Sequence, residues 1–381
     1  MYRSSPLLLH TEELNIPAVQ PKESVRLSLM ELYEKYNASN ICMTVSFVTA
    51  LPSQWAEVGF EIAWAQRIGT TKLSLPLEPS VQNPLRLFTT SNTYKITGNE
   101  FSFEFDSTRA SLINWKWRGM SVFATNTDTS FESAIHPGFW RPPTDNDLRG
   151  LDGEYRRHGL HALTCQCRSF TANKLNDGSV QINAVLYVSP PVIPWGFQTK
   201  VRYLIAPNGS LIIHVKSSPS GFGIPQTLPR VGLDIHFNKE LNIATWFGRG
   251  PGESYPDKCA SQKIGIYTAS LNELYTPYEV PQENGNRMDT YWVKMSTIGG
   301  LGIKMTRNDG SEFHWKGSSY SSDTIDSAKH PTDLVEDSII HFRLDSEVSG
   351  VGSAACGPLA GDEYVVQCDE KEFEFKLEPT I

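Results

Sequence analysis

Apolar and polar side chains alternate with period two through most of this chain, and from about residue 92 onward the alternation is nearly continuous. Phe101-Ser-Phe103-Glu-Phe105 puts three rings on one face of a strand. Asp177-Gly178, Asn208-Gly209 and Asp309-Gly310 each sit between segments rich in Val, Ile, Leu or Tyr, and predict hairpin turns. Asn208-Gly209 is the clearest, with Val201-Arg-Tyr-Leu-Ile before it and Leu211-Ile-Ile-His-Val after it. Helical candidates in this part are short: 154–160, interrupted by Gly159, and 271–275, stopped by Pro277. No Gly-x-Gly-x-x-Gly opens a helix after a strand, and strands do not alternate with helices, so a doubly wound or barrel fold is disfavoured. An all-β domain of roughly 290 residues must curl or split into two packed sheets, because open twisted sheets rarely exceed about ten strands.

The first 70 residues read as strands at 41–48 and 57–68, with a helix by propensity at 28–36. Residues 71–91 carry three prolines among polar neighbours and read as an extended linker.

Composition narrows the function classes. A net charge of -8 over 381 residues, with no run of like charges, gives no footprint for nucleic acid. The longest apolar run near the start is three leucines, too short for a signal-peptide core, and no run is long enough to span a bilayer; a cytoplasmic protein is the expectation. The six cysteines are scattered through a chain large enough to fold without staples, and none has zinc-ribbon spacing. Cys165 and Cys167 share a strand face, which predicts two buried thiols.

Candidate chemistry concentrates in Gly138-Phe-Trp-Arg-Pro-Pro-Thr-Asp-Asn-Asp147. Two prolines stiffen the loop. Trp140, Arg141, Asp145 and Asn146 suit a sugar, whose apolar face stacks on rings while its hydroxyls take fixed polar partners. The same residues also suit an Asx-rich turn around a buried Trp, and Asp145 with Asp147 fit backbone capping as well as they fit acid–base work. The Gly-rich stretch 246–257 lacks the Gly-Lys-Ser/Thr ending of a phosphate loop and predicts a turn in which Arg249, Glu253 and Asp257 form one internal polar network. No His/Asp/Glu cluster has metal-ligand spacing.

Six segments in order carry a resemblance: Trp55-x-Glu57-x-Gly59 with Ala63-Trp64-x-Gln66; Phe139-x-Arg141-x-Pro143-x-Asp145-Asn-Asp147; Gly248-x-Gly250-Pro-x-Glu253-x-Tyr255-Pro-Asp257; Tyr275-Thr-Pro-Tyr278; Glu283-Asn-Gly285-x-Arg287; and Gly350-Val-Gly352 followed by Cys356-Gly-Pro358. Together they resemble the C-terminal region of glycoside hydrolase family two β-galactosidases, a domain also found as a separate small subunit. The resemblance implies a galactose-mutarotase-like β-supersandwich over 92–381, preceded over 1–70 by part of an immunoglobulin-like β-sandwich whose open face needs a cover. It also implies that the two catalytic glutamates, and any magnesium or sodium, belong to a (β/α)8 barrel outside this chain, so no catalytic residue and no cofactor is expected here.

What the resemblance assigns to this region is one wall of a β-galactoside pocket. It implies a mobile hairpin hinged at Gly119, anchored by the loop with Trp140, Arg141, Asp145 and Asn146. It also implies a tip at Cys356, where the bacterial single-chain pattern has a Trp and the fungal pattern does not; a Cys there predicts a looser grip on the glucose side of lactose. The implied partners are a barrel-bearing large subunit or preceding domains, and further copies in a homo-oligomer. Two other readings stay open: a carbohydrate-binding or aldose-epimerase-like module using some of His214, His236 and Glu283, and an incomplete gene.

Overall fold

The computed structural model describes residues 9–36, 42–69, 84–124, 133–352, 357–358 and 360–381. Its main body is a broad two-layer β-sandwich. One layer is a nine-stranded antiparallel sheet whose strands run, edge to edge, Lys263–Ser270, Ile243–Gly250, Trp292–Ser296, Gly302–Arg307, Lys371–Thr380, Leu211–Gly221, Trp195–Ile205, Val180–Ser189 and Thr164–Lys174. The other layer is two five-stranded sheets. The first holds Arg86–Thr89, Thr93–Thr97, Phe101–Asp106, Ser111–Trp117 and Met120–Ser121. The second holds Arg287–Thr290, Phe313–Ser318, Ile339–Val348, Arg230–Asn238 and Ile135–Gly138. The two meet where Phe123 bridges to Phe237, flanked by backbone bonds from Ala124 to His236 and from Asn238 to Val122.

Alternation explains the layering. Phe101, Phe103 and Phe105 are all buried, as their spacing predicts, and Phe105 meets Tyr203 of the nine-stranded sheet with ring centroids 5.3 Å apart. Trp246 meets Trp315 across the layers at 5.3 Å, and Phe313 meets Phe375 at 5.6 Å. These rings belong to one continuous core. In the second five-stranded sheet the alternate positions face away from that core and are polar: His136, Asp234, His236, His314, Lys316, His341, Arg343 and Asp345. A strand buried on both sides normally reads as a continuous apolar run; here charge on the outer side is held by ion pairs instead.

The turns at Asp177-Gly178 and Asn208-Gly209 close hairpins as predicted, with both glycines left-handed (φ 84° and 86°) and with Asp177 and Asn208 accepting from the amide two residues on. Asp309-Gly310 does not close a hairpin. The strand before it, Gly302–Arg307, lies in the nine-stranded sheet and the strand after it, Phe313–Ser318, in the opposite layer, so this turn is a crossing. The end of the stretch expected as linker is also structured: Arg86–Thr89 pairs with Thr93–Thr97. Cys165 is exposed and Cys167 only half-buried, against expectation, because Thr164–Lys174 is the edge strand of its sheet and is open along most of its length.

In the N-terminal region Cys42–Val48 pairs antiparallel with Glu61–Ile68, after a short helix Met30–Tyr36. This hairpin is tied to the edge strand Lys263–Ser270. The Gln66 side-chain amide donates to the Ile264 carbonyl (3.0 Å) and accepts from its N–H (2.8 Å), so one side chain stands in for a strand neighbour. Lys263 pairs with Glu61 at 2.6 Å and lies over the Trp64 ring. The remainder of the hairpin is open, with Phe47, Val48, Trp55, Phe60 and Ile62 exposed.

Candidate functional site

Five of the six resembling segments converge at one end of the second five-stranded sheet, where Ile135–Gly138 and Ile339–Val348 end and Arg230–Asn238 begins. Phe139 anchors the loop by stacking on Phe197, with centroids 4.1 Å apart and planes 9° from parallel. Arg141 is buried and pairs with Asp147 at 2.7 Å; its other amino group donates to the Gly350 carbonyl at 3.3 Å. Thr144 and Asn146 donate to the Val351 carbonyl at 3.4 and 2.8 Å. From the opposite side the Asp257 carboxylate accepts from the Val351 and Gly352 N–H groups at 3.0 and 2.6 Å. The backbone of 350–352 is therefore clamped between two loops. A Cβ on Gly350 would sit 2.7 Å from the Asp257 carboxyl group, which accounts for glycine at that position.

The segments 251–258 and 278–287 extend the same rim. Asp145 and Gln282 exchange two hydrogen bonds, each of 3.1 Å, and the Glu283 N–H donates to the Pro143 carbonyl. Glu253 binds Lys258 (2.5 Å), the Tyr278 hydroxyl and the Gly285 N–H (2.8 Å). Behind it the buried Glu283 carboxylate takes Lys316 (3.2 Å), Arg343 and the Tyr255 hydroxyl (3.0 Å). Burial alone would raise the Glu283 carboxyl; the cations Arg343, Lys316 and Arg141 outweigh it and hold the group at about 2. Glu253 is likewise lowered, burial being overcome by its bonds from Lys258, Tyr278 and Gly285. Deeper still, Arg230 donates to Asp234 and Asp345 and to the Trp140 carbonyl. For Asp345 burial wins over Arg230 and Arg343 and pushes the carboxyl up to about 6.

This geometry sorts the residues singled out from the sequence. Asp145 is exposed on the rim and Asn146 half-exposed beside it. Arg141 is not available to a sugar: it is 2 % exposed and its amino groups are committed to Asp147, Pro142 and Gly350. Trp140 is not an open stacking platform, because its ring packs against the core, under the Arg156 guanidinium at 5.5 Å and beside His161. Gly119 does not join the cluster. Its turn comes just before Val122, which accepts from Asn238 at one end of the strand Arg230–Asn238, whereas the rim lies at the Arg230 end of that strand, which is roughly 26 Å long. The loop anticipated as its anchor clamps Gly350–Gly352 instead. Cys356 lies outside the described residues.

The expected network of Arg249, Glu253 and Asp257 is in fact three separate sites. Arg249 pairs with Asp289, Glu253 with Lys258, and Asp257 with the 351–352 backbone. His214 pairs with Glu372 on the nine-stranded sheet. His236 is half-buried beside His136 and His341 on the other layer, and desolvation with those neighbours drops it to about 4. With Glu283 committed to cations, no His–Glu acid–base pair forms from these three. Sequence reading missed Lys258, Tyr278 and Gln282 as rim residues, although each adjoins or lies within a resembling segment. Among the described residues no trio of His, Cys, Asp or Glu is gathered to hold a metal ion, and no helix is long and apolar enough to cross a membrane.

Comparison with known proteins gives this geometry a context. A galactose mutarotase related enzyme from Lactobacillus acidophilus superposes at TM-score 0.41 and 13 % identity, over 76 % of this chain and 97 % of that one, a loose likeness. The β-galactosidase of Kluyveromyces lactis is 27 % identical over 368 residues, covering 96 % of this chain and 34 % of its own length. That of Psychromonas ingrahamii is 27 % identical over 383 residues, with 96 % and 35 % covered. The chain thus spans about a third of the length of these relatives. Residues 7–68 match β-galactosidase domain 4. Residues 97–377 match the β-galactosidase small chain, and the protein belongs to that family.

Proposed function

We propose that this chain forms one rim of the sugar pocket of a β-galactosidase, acting with a barrel-bearing portion that supplies the bond-breaking acids to hydrolyse terminal β-galactosides such as lactose. The observation that carries the reading is the convergence of five separated segments on one rim, two of which clamp Gly350–Gly352 while the other two join through Glu253 and Asp145. A general acid needs a raised pKa and a free proton; Glu253 and Glu283 are instead pinned in their charged forms by cations and amides, which suits a scaffold. Open polar groups at the rim, Asp145, Asn146 and the Lys258–Tyr278 pair, are the ones we assign to sugar hydroxyls or to the surface that closes the pocket. A contribution from Cys356, implied by the resemblance, and a cytoplasmic location belong to the same reading.

The test mixes the purified chain with the Kluyveromyces lactis enzyme truncated before its matching C-terminal third. Lactose hydrolysis in the mixture, with none from either part alone, is the expected result. A robust rate from this chain alone, after rigorous removal of host enzyme, overturns it.

A further inference from the structure

We infer that the ridge formed by the turns at Val192 and Phe222 is the docking face for the remainder of a β-galactosidase chain; this rests on the rim reading above. Val192 is 102 % exposed and Phe222 83 % exposed, with Ile224 at the edge. Val192 also sits at φ 70°, a left-handed conformation that crowds a β-branched side chain and persists only where the surroundings hold it. The two turns are one unit: the Phe222 N–H donates to the Pro194 carbonyl at 2.9 Å, and a Cβ on Gly221 would lie 2.2 Å from that oxygen.

The ridge continues the rim. After Asp147 the chain makes a turn with Leu148 exposed, then the helix Leu151–Arg157, whose Arg156 covers Trp140. At the end of that helix the His158 carbonyl accepts from the Trp195 indole at 2.9 Å, and Gly159 lies against Pro190. A body that completes the rim therefore passes beside Val192 and Phe222. The relatives carry about two-thirds of their length beyond what this chain matches, enough for such a body.

The experiment measures binding of the full chain to the truncated Kluyveromyces lactis enzyme, for the wild type, Phe222→Asp, and Val192→Asp/Phe222→Asp. Circular dichroism and thermal midpoints check that all three fold alike. The expected result is at least a 30-fold weaker Kd for the double variant and a smaller loss for the single one. Equal Kd values for all three overturn the docking face while leaving the rim reading intact. Absence of binding by the wild-type chain overturns both. Self-association of the wild-type chain that the double variant abolishes assigns the ridge to a second copy and overturns the inference.

Discussion

Replacing Asp147 tests whether the rim is held as its geometry indicates. The Asp147 carboxylate takes a charged bond from Arg141 at 2.7 Å and the Thr144 N–H at 2.8 Å, and both side chains of the ion pair are nearly inaccessible, at 1 % and 4 %. Asp147→Ala leaves the Arg141 guanidinium buried with only the Pro142 and Gly350 carbonyls as direct acceptors. Breaking one side of a buried pair costs about 3–5 kcal/mol, and the orphaned amide adds about 1 kcal/mol. These contributions share partners and do not simply add, so a loss of about 4 kcal/mol in the unfolding free energy is expected. Replacing both partners by apolar residues, Arg141→Met with Asp147→Leu, removes the uncompensated charge and brings stability back to within about 2 kcal/mol of wild type. Urea unfolding followed by tryptophan fluorescence measures all three, and hydrogen exchange at Gly350 reports whether the clamp has loosened. An Asp147→Ala loss under about 1 kcal/mol, or a double variant as unstable as Asp147→Ala, refutes the reasoning.

Three further outcomes follow from the same structure. Gly350→Ala pushes a methyl group into the Asp257 carboxyl, so exchange at the Val351 and Gly352 amides should rise at least tenfold while strand amides elsewhere keep their protection. Gln66→Ala removes both bonds to Ile264, and should speed exchange in Cys42–Val48 and Glu61–Ile68 without moving the main thermal transition. Asp345 and Glu283 give opposite pH slopes. The raised Asp345 carboxyl contributes stability that is fully present below about 4 and lost as pH rises toward 6, and the lowered Glu283 contributes stability present above about 4.5 and lost as pH falls toward 2. Unfolding free energies taken every half pH unit should therefore lose the decline between about 4 and 6 in Asp345→Asn and the acid limb in Glu283→Gln.

Much of the fold was legible because its determinants are local. The alternation Phe101-Ser-Phe103-Glu-Phe105 and the left-handed glycines 178 and 209 act over a few residues, and strand faces and hairpins follow directly. Asp309-Gly310 shows the limit: the dipeptide specifies a tight turn, but which sheet the next strand joins depends on long-range packing of Phe313 against Phe375. Cys165 and Cys167 share a face as expected, yet edge position, which no spacing encodes, left them open. The rim residues were legible as a set, while Trp140 and Arg141 within it turned out to face the core and Asp147. Arg141 carries the same letter whether it binds a sugar or a buried Asp147, and only the path of 350–352, some two hundred residues later, decides between them.

That path explains why so much charge is buried at one end of the sandwich. Arg230 with Asp345 and the half-buried Asp234, Glu283 with Lys316 and Arg343, and Arg141 with Asp147 form a chain of pairs running from the sheet to the rim. Apolar replacement of a buried ion pair at equal volume is often neutral or stabilising. Apolar packing, however, is tolerant of small slips, whereas each of these pairs fixes direction as well as distance, and a slip leaves a charge unpaired in low dielectric. A pocket wall that must hold backbone groups such as those of Val351 and Gly352 in one orientation gains from that intolerance. On this argument the expense of the ionic chain is justified only at the rim, and apolar replacement of Lys316, Glu283 and Arg343 together should preserve stability while degrading the order of the 350–352 clamp.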